Sequence, residues 1–169
     1  MGAHTTPASH GATSLSTAEW DTYIKDNTRI GSILVLPQIG VGLFAPYNIV
    51  NIGTTTADGI VYYNFRVPAL FTSIQRAYVV VFDDGATGNL RYSVVTNWGA
   101  NGEAYNLNTD SIAATTLAMT QNAFAEVDIS AAFTGIAAGD YVGLQFTRLG
   151  TDALDTLGNV RSLFFIMEF

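Results

Sequence analysis

The chain has 169 residues, of which 49% are hydrophobic and only 12% are charged. Soluble domains carry about twice that charged share, so we expect much of the surface to be covered by protein in an oligomer or a larger assembly, the alternative being a surface rich in small polar residues. The net charge of −7, with seven basic residues, argues against nucleic-acid binding. The absence of cysteine excludes disulfides and thiolate metal sites.

The first part of the chain predicts an arm and a helix. Residues 1–15 are small and polar, without apolar periodicity, which indicates a flexible arm. Ser16 and Glu19 are spaced as a helix capping box, and Gly31 supplies a stop. One face of this helix carries Trp20, Tyr23, Ile24 and Asn27. So short a helix needs a packing surface, on the chain's own sandwich or on a partner.

From residue 32 onward the sequence predicts β structure, because runs rich in Val, Ile, Tyr, Phe and Thr alternate with turn residues. The predicted strands are Ser32–Leu36, Phe44–Val50, Gly59–Val67, Ser73–Phe82, Leu90–Asn97, Glu126–Asp128, Tyr141–Arg148 and Arg161–Phe169. No apolar run approaches the roughly 18 residues of a membrane helix, so no membrane partner is expected.

The strand pattern predicts an all-β fold, a two-sheet jelly-roll-like sandwich preceded by a flexible arm and one short α-helix. We expect residues 1–31 to form the arm and helix, and residues 32–169 to form one sandwich domain. Residues 106–125 predict a long crossing loop with a short helical or strand piece. Residues 162–169 are apolar on both faces, which predicts a central strand, with one face in the core or at a subunit interface.

Few residues point to catalysis or metal binding. Both histidines, His4 and His10, lie in the predicted arm, which disfavours a Ser–His–Asp site and a rigid metal site. We predict no enzymatic activity, no catalytic residue and no cofactor. Asp152 and Asp155 are the candidates for a calcium site, because carboxylate oxygens suit that cation. Turn capping is the favoured role of both, so we predict no metal site.

Aromatic residues make up 12% of the chain and suggest a possible glycan platform. Trp98 lies in a segment, 97–102, that resembles an exposed loop, and Tyr105 follows it. Exposed aromatic rings can stack on sugars, although core packing is the commoner role of such residues.

Two segments resemble structural proteins of tailed bacteriophages. Residues 17–27, TAEWDTYIKDN, resemble a Trp-x-x-Tyr-x-x-Asp-Asn helix that follows a polar arm in such proteins. Residues 138–148, AGDYVGLQFTR, followed by Asp152 and by residues 155–157, are similar to the C-terminal half of phage jelly-roll proteins.

The resemblance implies a virion protein on the capsid or tail surface, most simply a homotrimeric capsid decoration protein. Its partners would be other copies of itself and the major capsid protein or another virion protein. Attachment would then use Trp20, Tyr23, Ile24 and Asn27. The alternative is a receptor-binding or fibre-tip module that recognises a host glycan through Trp98 and Tyr105.

Overall fold

The computed structural model describes residues 32–35, 41–44, 47–53 and 57–169. They belong to one structural unit, Ser32–Phe169. The arm and helix expected at residues 1–31, with the attachment residues Trp20, Tyr23, Ile24 and Asn27, lie outside the described residues and stay predictions. No helix in the described ranges is long and apolar enough to cross a membrane.

The described residues form ten strands and one 3₁₀ helix. In chain order the strands are β1 Ser32–Val35, β2 Val41–Phe44, β3 Tyr47–Asn51, β4 Gly59–Arg66, β5 Arg76–Asp83, β6 Gly88–Gly99, β7 Asn108–Met119, β8 Phe124–Asp128, β9 Tyr141–Arg148 and β10 Val160–Glu168. The 3₁₀ helix, Ser130–Phe133, lies between β8 and β9.

The strands form two antiparallel sheets. The first has the order β2-β3-β10-β5-β8, with β1 also pairing with β10, and the second has the order β4-β9-β6-β7. From β3 onward the chain changes sheet at every connection except the one from β6 to β7. Antiparallel strands that alternate between two sheets in this way are typical of a jelly roll. The predicted fold class is confirmed.

The core fills the space between the sheets, with the side-chain alternation expected from the sequence. Val61 and Tyr63 of β4, and Leu144 and Phe146 of β9, are buried, while the residues between them face away from the core. Phe165 of β10 anchors an aromatic group at the centre, with ring centroids 6.1 Å from Tyr63, 5.2 Å from Phe65 and 5.6 Å from Phe133. Burying each such ring contributes about 1.5–3 kcal/mol.

Strand β10 is central, as its apolar character on both faces predicts. It pairs with β5 along one edge, and with β3 and β1 along the other. Its inner face contributes Phe165 to the core, while Leu163 joins a second buried cluster with Tyr78, Val80 and Phe82 of β5. Both faces of the centre of this sheet are therefore apolar and buried.

Two predictions about strands are corrected. Residues 106–125 are not mainly a crossing loop, since they contain β7. This strand lies at the edge of its sheet and is largely exposed, so its Ala and Thr residues give little apolar alternation. The run predicted as Phe44–Val50 is not one strand: Phe44 ends β2, and Tyr47 begins β3, which pairs with β2 in antiparallel register. Pro46 stands between them, and proline lacks the backbone donor that a continuous strand needs.

Candidate functional site

A groove of about 790 Å³ lies on the face of the second sheet that points away from the core. Strands β4, β9 and β6 form its floor, and the loop 100–107 borders it. Three rows of facing residues cross these strands: Tyr62, Gln145 and Val95; Asn64, Gly143 and Asn97; Arg66, Tyr141 and Gly99. The groove therefore depends on strand register, which fixes which side chains are neighbours.

The floor of the groove is low because its central row has a glycine in the middle strand. Gly143 lies between Asn64 and Asn97, whose side chains flank it on both sides. A Cβ atom added at Gly143 would meet Asn64 Oδ1 at 3.5 Å, an ordinary van der Waals contact. The backbone thus tolerates a side chain here, but any side chain occupies the space of the groove.

Three tyrosines supply aromatic surface to the groove. Tyr62 is 36% exposed, Tyr141 is 52% exposed and Tyr105, in the bordering loop, is 82% exposed. Tyr62 faces Gln145, four residues from Tyr141 along β9. At about 3.4 Å per residue and 4.8 Å between strands, the Cα atoms of Tyr62 and Tyr141 are about 14 Å apart. Two exposed rings thus lie on either side of the Gly143 row.

Uncharged amides supply most of the polar groups. The side chains of Asn64 and Asn97 line the groove, and no hydrogen bond joins either to another described residue. Gln145 Nε2 donates to Thr147 Oγ1 at 3.1 Å, which fixes the orientation of that amide. An amide offers both a donor and an acceptor, so these groups suit a ligand with hydroxyl groups.

Two charged side chains complete the lining. The Arg66 guanidinium lies over the Tyr141 ring, 5.5 Å from its centroid, and its Nε donates to the Gly139 carbonyl at 3.2 Å. Glu103 Oε2 accepts from the Ala100 N–H at 2.8 Å and so holds the turn of the bordering loop. Among the described residues that line the groove, Glu103 supplies the one carboxylate.

The structure corrects the proposed role of Trp98 as a glycan platform. Trp98 is only 5% exposed and belongs to the core. Strand β6 continues to Gly99, and alternation from the buried Leu90 turns Trp98 inward. Tyr105, the second proposed residue, is exposed and lines the groove. Sequence reasoning missed Tyr141, although the alternation in β9 already placed it on the outer face with Gln145.

The calcium hypothesis for Asp152 and Asp155 is also corrected, because arginines occupy both carboxylates. Asp155 Oδ1 lies 2.8 Å from Arg148 Nη2, with both side chains fully buried. Asp152 Oδ2 lies 3.2 Å from Arg91 Nε, and Asp152 Oδ1 caps the Leu154 N–H at 2.9 Å. That backbone hydrogen bond, with help from Arg91, lowers the pKa of Asp152. No group of three or more metal-binding side chains occurs among the described residues.

These features define a class of protein: a jelly-roll sandwich with an open, tyrosine-lined and amide-lined groove on one sheet. No protein-family model and no curated protein matches the sequence. The chain resembles the solved structure of TmCBM61 in complex with β-1,4-galactotriose, with 9% identity, a TM-score of 0.36 and 85% of each chain covered.

A further solved structure with partial likeness is the family 11 carbohydrate-binding module from Clostridium thermocellum, in complex with a β-1,3-1,4-mixed-linked tetrasaccharide. Its identity is 13% and its TM-score 0.31, with 82% of this chain and 88% of the other covered. Likeness at this level carries no inference about what the present chain binds.

Proposed function

We propose that the chain is a glycan-binding protein and that the groove on the second sheet is its binding site. The observation that carries this proposal is the pair of exposed rings, Tyr62 and Tyr141, on either side of the Gly143 floor. Sugar rings have apolar faces that stack on aromatic side chains. Their hydroxyl groups are donors and acceptors that match the amides of Asn64 and Asn97.

We propose binding without chemical conversion of the glycan. Glycoside hydrolysis ordinarily uses two carboxyl groups that flank the scissile bond. Of the described residues that line the groove, only Glu103 carries a carboxylate, and its Oε2 is bonded to the Ala100 N–H. The composition of the groove thus favours a binding role over hydrolysis.

The test is a glycan array of neutral and anionic oligosaccharides, probed with the wild-type chain and with two groove variants. Tyr62→Ala removes one ring, and we expect about a tenfold loss of affinity, since about 1.4 kcal/mol corresponds to a factor of ten. Gly143→Leu fills the floor, and we expect it to abolish binding. Leu154→Ala is the matched control, because Leu154 is an exposed apolar side chain outside the groove.

Near-ultraviolet circular dichroism establishes that each variant keeps the wild-type fold. Since a Cβ atom at Gly143 makes only an ordinary contact, Gly143→Ala serves as a gentler filling variant if Gly143→Leu is unstable. Wild-type binding that persists in folded Tyr62→Ala and Gly143→Leu proteins would place the glycan elsewhere. Absence of binding to every glycan on the array would end the proposal.

We further propose that this module works on the surface of a virion, as a homotrimer held by residues 1–31. The virion part rests on the two sequence segments that resemble phage structural proteins. The low charge of the chain, 12% of residues, supports self-association. Strand β7 adds support, because this sheet edge runs for 12 residues and Asp110 is its one charged side chain. In this view the groove recognises a host-surface glycan.

A further inference from the structure

The arginines of the described residues differ in whether a carboxylate pairs with them, and this difference concerns the groove. Four arginines each form an ion pair with a carboxylate: Arg76 with Glu126, Arg91 with Asp152, Arg148 with Asp155 and Arg161 with Asp84. Within the described residues, Arg66 is the arginine that has no carboxylate within 4.0 Å. In a chain of net charge −7, such an arginine is an exception.

The surroundings of Arg66 hold its guanidinium in place without neutralising it. Its Nε donates to the Gly139 carbonyl at 3.2 Å, and its guanidinium carbon lies 5.5 Å from the centroid of the Tyr141 ring. Gly139 adopts a φ of +93°, which favours glycine, so this turn brings a backbone carbonyl to the arginine. Neither Nη1 nor Nη2 has a hydrogen-bond partner among the described residues.

We infer that the groove takes an anionic sugar, whose acidic group pairs with Arg66 beside the Tyr141 ring. The inference rests on the proposed glycan-binding function and adds the chemical class of the ligand. A guanidinium presents parallel N–H donors that match two oxygens of one acidic group, and such charge-assisted bonds are stronger than neutral ones. A uronic acid and a sulfated sugar both present this chemistry.

Glu103, the other charged residue that lines the groove, allows a second test of the same inference. Glu103 is an anion among the residues that line the groove, so it opposes an anionic ligand at any distance shorter than the screening length of about 8–10 Å. Glu103→Gln removes that charge and retains an oxygen that accepts from the Ala100 N–H. This variant should strengthen the binding of anionic glycans more than that of neutral glycans.

The experiment compares three groups of oligosaccharides on one array: neutral, uronate-containing and sulfated. Calorimetry then compares the strongest uronate ligand with its methyl ester, which differs in charge at the carboxyl group. We expect Arg66→Gln to weaken binding of the acid about tenfold, a factor that corresponds to about 1.4 kcal/mol, and to weaken binding of the ester much less. Arg66→Lys keeps the positive charge but lacks the parallel N–H donors of the guanidinium. It should therefore retain part of the affinity difference between acid and ester.

Arg76→Gln is a matched control. Arg76 also lies over a tyrosine ring, with its guanidinium carbon 4.3 Å from the Tyr78 centroid. It pairs with Glu126, however, and both residues belong to the first sheet, which does not form the groove floor. Removing its charge changes the net charge as much as Arg66→Gln does, and should leave the affinity for every glycan unchanged.

Preference for uronates or for sulfated sugars, lost in Arg66→Gln, supports the inference and distinguishes the two sources of the acidic group. Binding restricted to neutral glycans, or equal loss of acid and ester in Arg66→Gln, overturns the inference and leaves the proposed function standing. Silence across all three groups overturns both.

Discussion

The buried ion pair between Arg148 and Asp155 allows a test of how much one side chain contributes to the stability of the sandwich. Arg148 Nε and Nη2 donate to the two carboxylate oxygens of Asp155 at 3.1 and 2.8 Å. The same guanidinium donates to three backbone carbonyls, those of Gly53, Leu157 and Gly158, at 2.7, 2.8 and 2.9 Å. One side chain thus ties β9 to two connections of the chain.

Replacing Arg148 with Met keeps an unbranched apolar stem, shorter than that of arginine, and removes all five bonds. Asp155 then keeps the backbone N–H bonds from Arg91 and Leu157 but loses its counter-charge inside the fold, a change that typically costs about 3–5 kcal/mol. The three carbonyls also lose their charged donor, so the upper half of that range is the better expectation. Total stabilities of domains are about 5–15 kcal/mol, so this single substitution should remove between a quarter and nearly all of the stability of the domain.

The assay is urea unfolding at pH 7, followed by circular dichroism. With a denaturant slope of about 2 kcal/mol per molar, the midpoint of Arg148→Met should fall by about 2–2.5 M. The double variant Arg148→Met/Asp155→Asn should recover part of the loss, because the charge is gone and one of the two acceptor oxygens is kept. Arg91→Met is the control, since its pair with Asp152 is partly exposed and solvent-screened, so its loss should shift the midpoint far less than Arg148→Met does.

A midpoint in Arg148→Met within about 0.5 M of the wild type would refute this reasoning. So would a double variant that is no more stable than Arg148→Met, because the cost would then come from lost packing and not from an unpaired charge.

Two further predictions concern acid sensitivity and assembly. The Ser130 N–H and hydroxyl donate to Asp128 and lower its pKa, so the bond stabilises the fold fully above the ordinary pKa of 3.8 and is lost as pH falls through the lower folded value. Asp128→Asn should therefore lower the free energy of unfolding at pH 7 by below about 1 kcal/mol, since the side chain is largely exposed. In urea unfolding, the stability difference between wild type and variant should close below pH 3.8, and a difference independent of pH would contradict this. Light scattering on the full chain should give about 54 kDa, a trimer of 18.1 kDa subunits, and a monomer mass would count against assembly.

The parts of the fold that the sequence predicts well are those with strong alternation. In β4 and β9 every second residue is apolar, and period-two patterning specifies both the strand and its inner face. Strand β7 escaped prediction because it is an exposed edge strand whose small residues carry little pattern. The same parity rule, counted through β6 from Leu90, would have turned Trp98 inward, but its neighbours Asn97 and Gly99 resembled a loop.

The binding groove was less accessible to prediction. Tyr62 and Tyr141 are far apart in sequence, and only the antiparallel register of β4 and β9 places them on one face. The contact of Arg66 with the Gly139 carbonyl joins residues 73 positions apart, and no local signal indicates it. The pairing of Asp155 with Arg148 likewise depends on burial, which the sequence does not show. Both aspartates therefore remained candidates for calcium binding as well as for turn capping.

The central place of β10 has a consequence for how this domain comes into being on the ribosome. Its neighbours β1, β3 and β5 are all made earlier, and each lacks a partner along one edge until residues 160–168 have left the ribosome. Unpaired edges of this kind invite contacts with other nascent chains. Because the pairings with β1 and β3 close loops of more than a hundred residues, we expect slow folding, with the first sheet completed only after synthesis has passed β10.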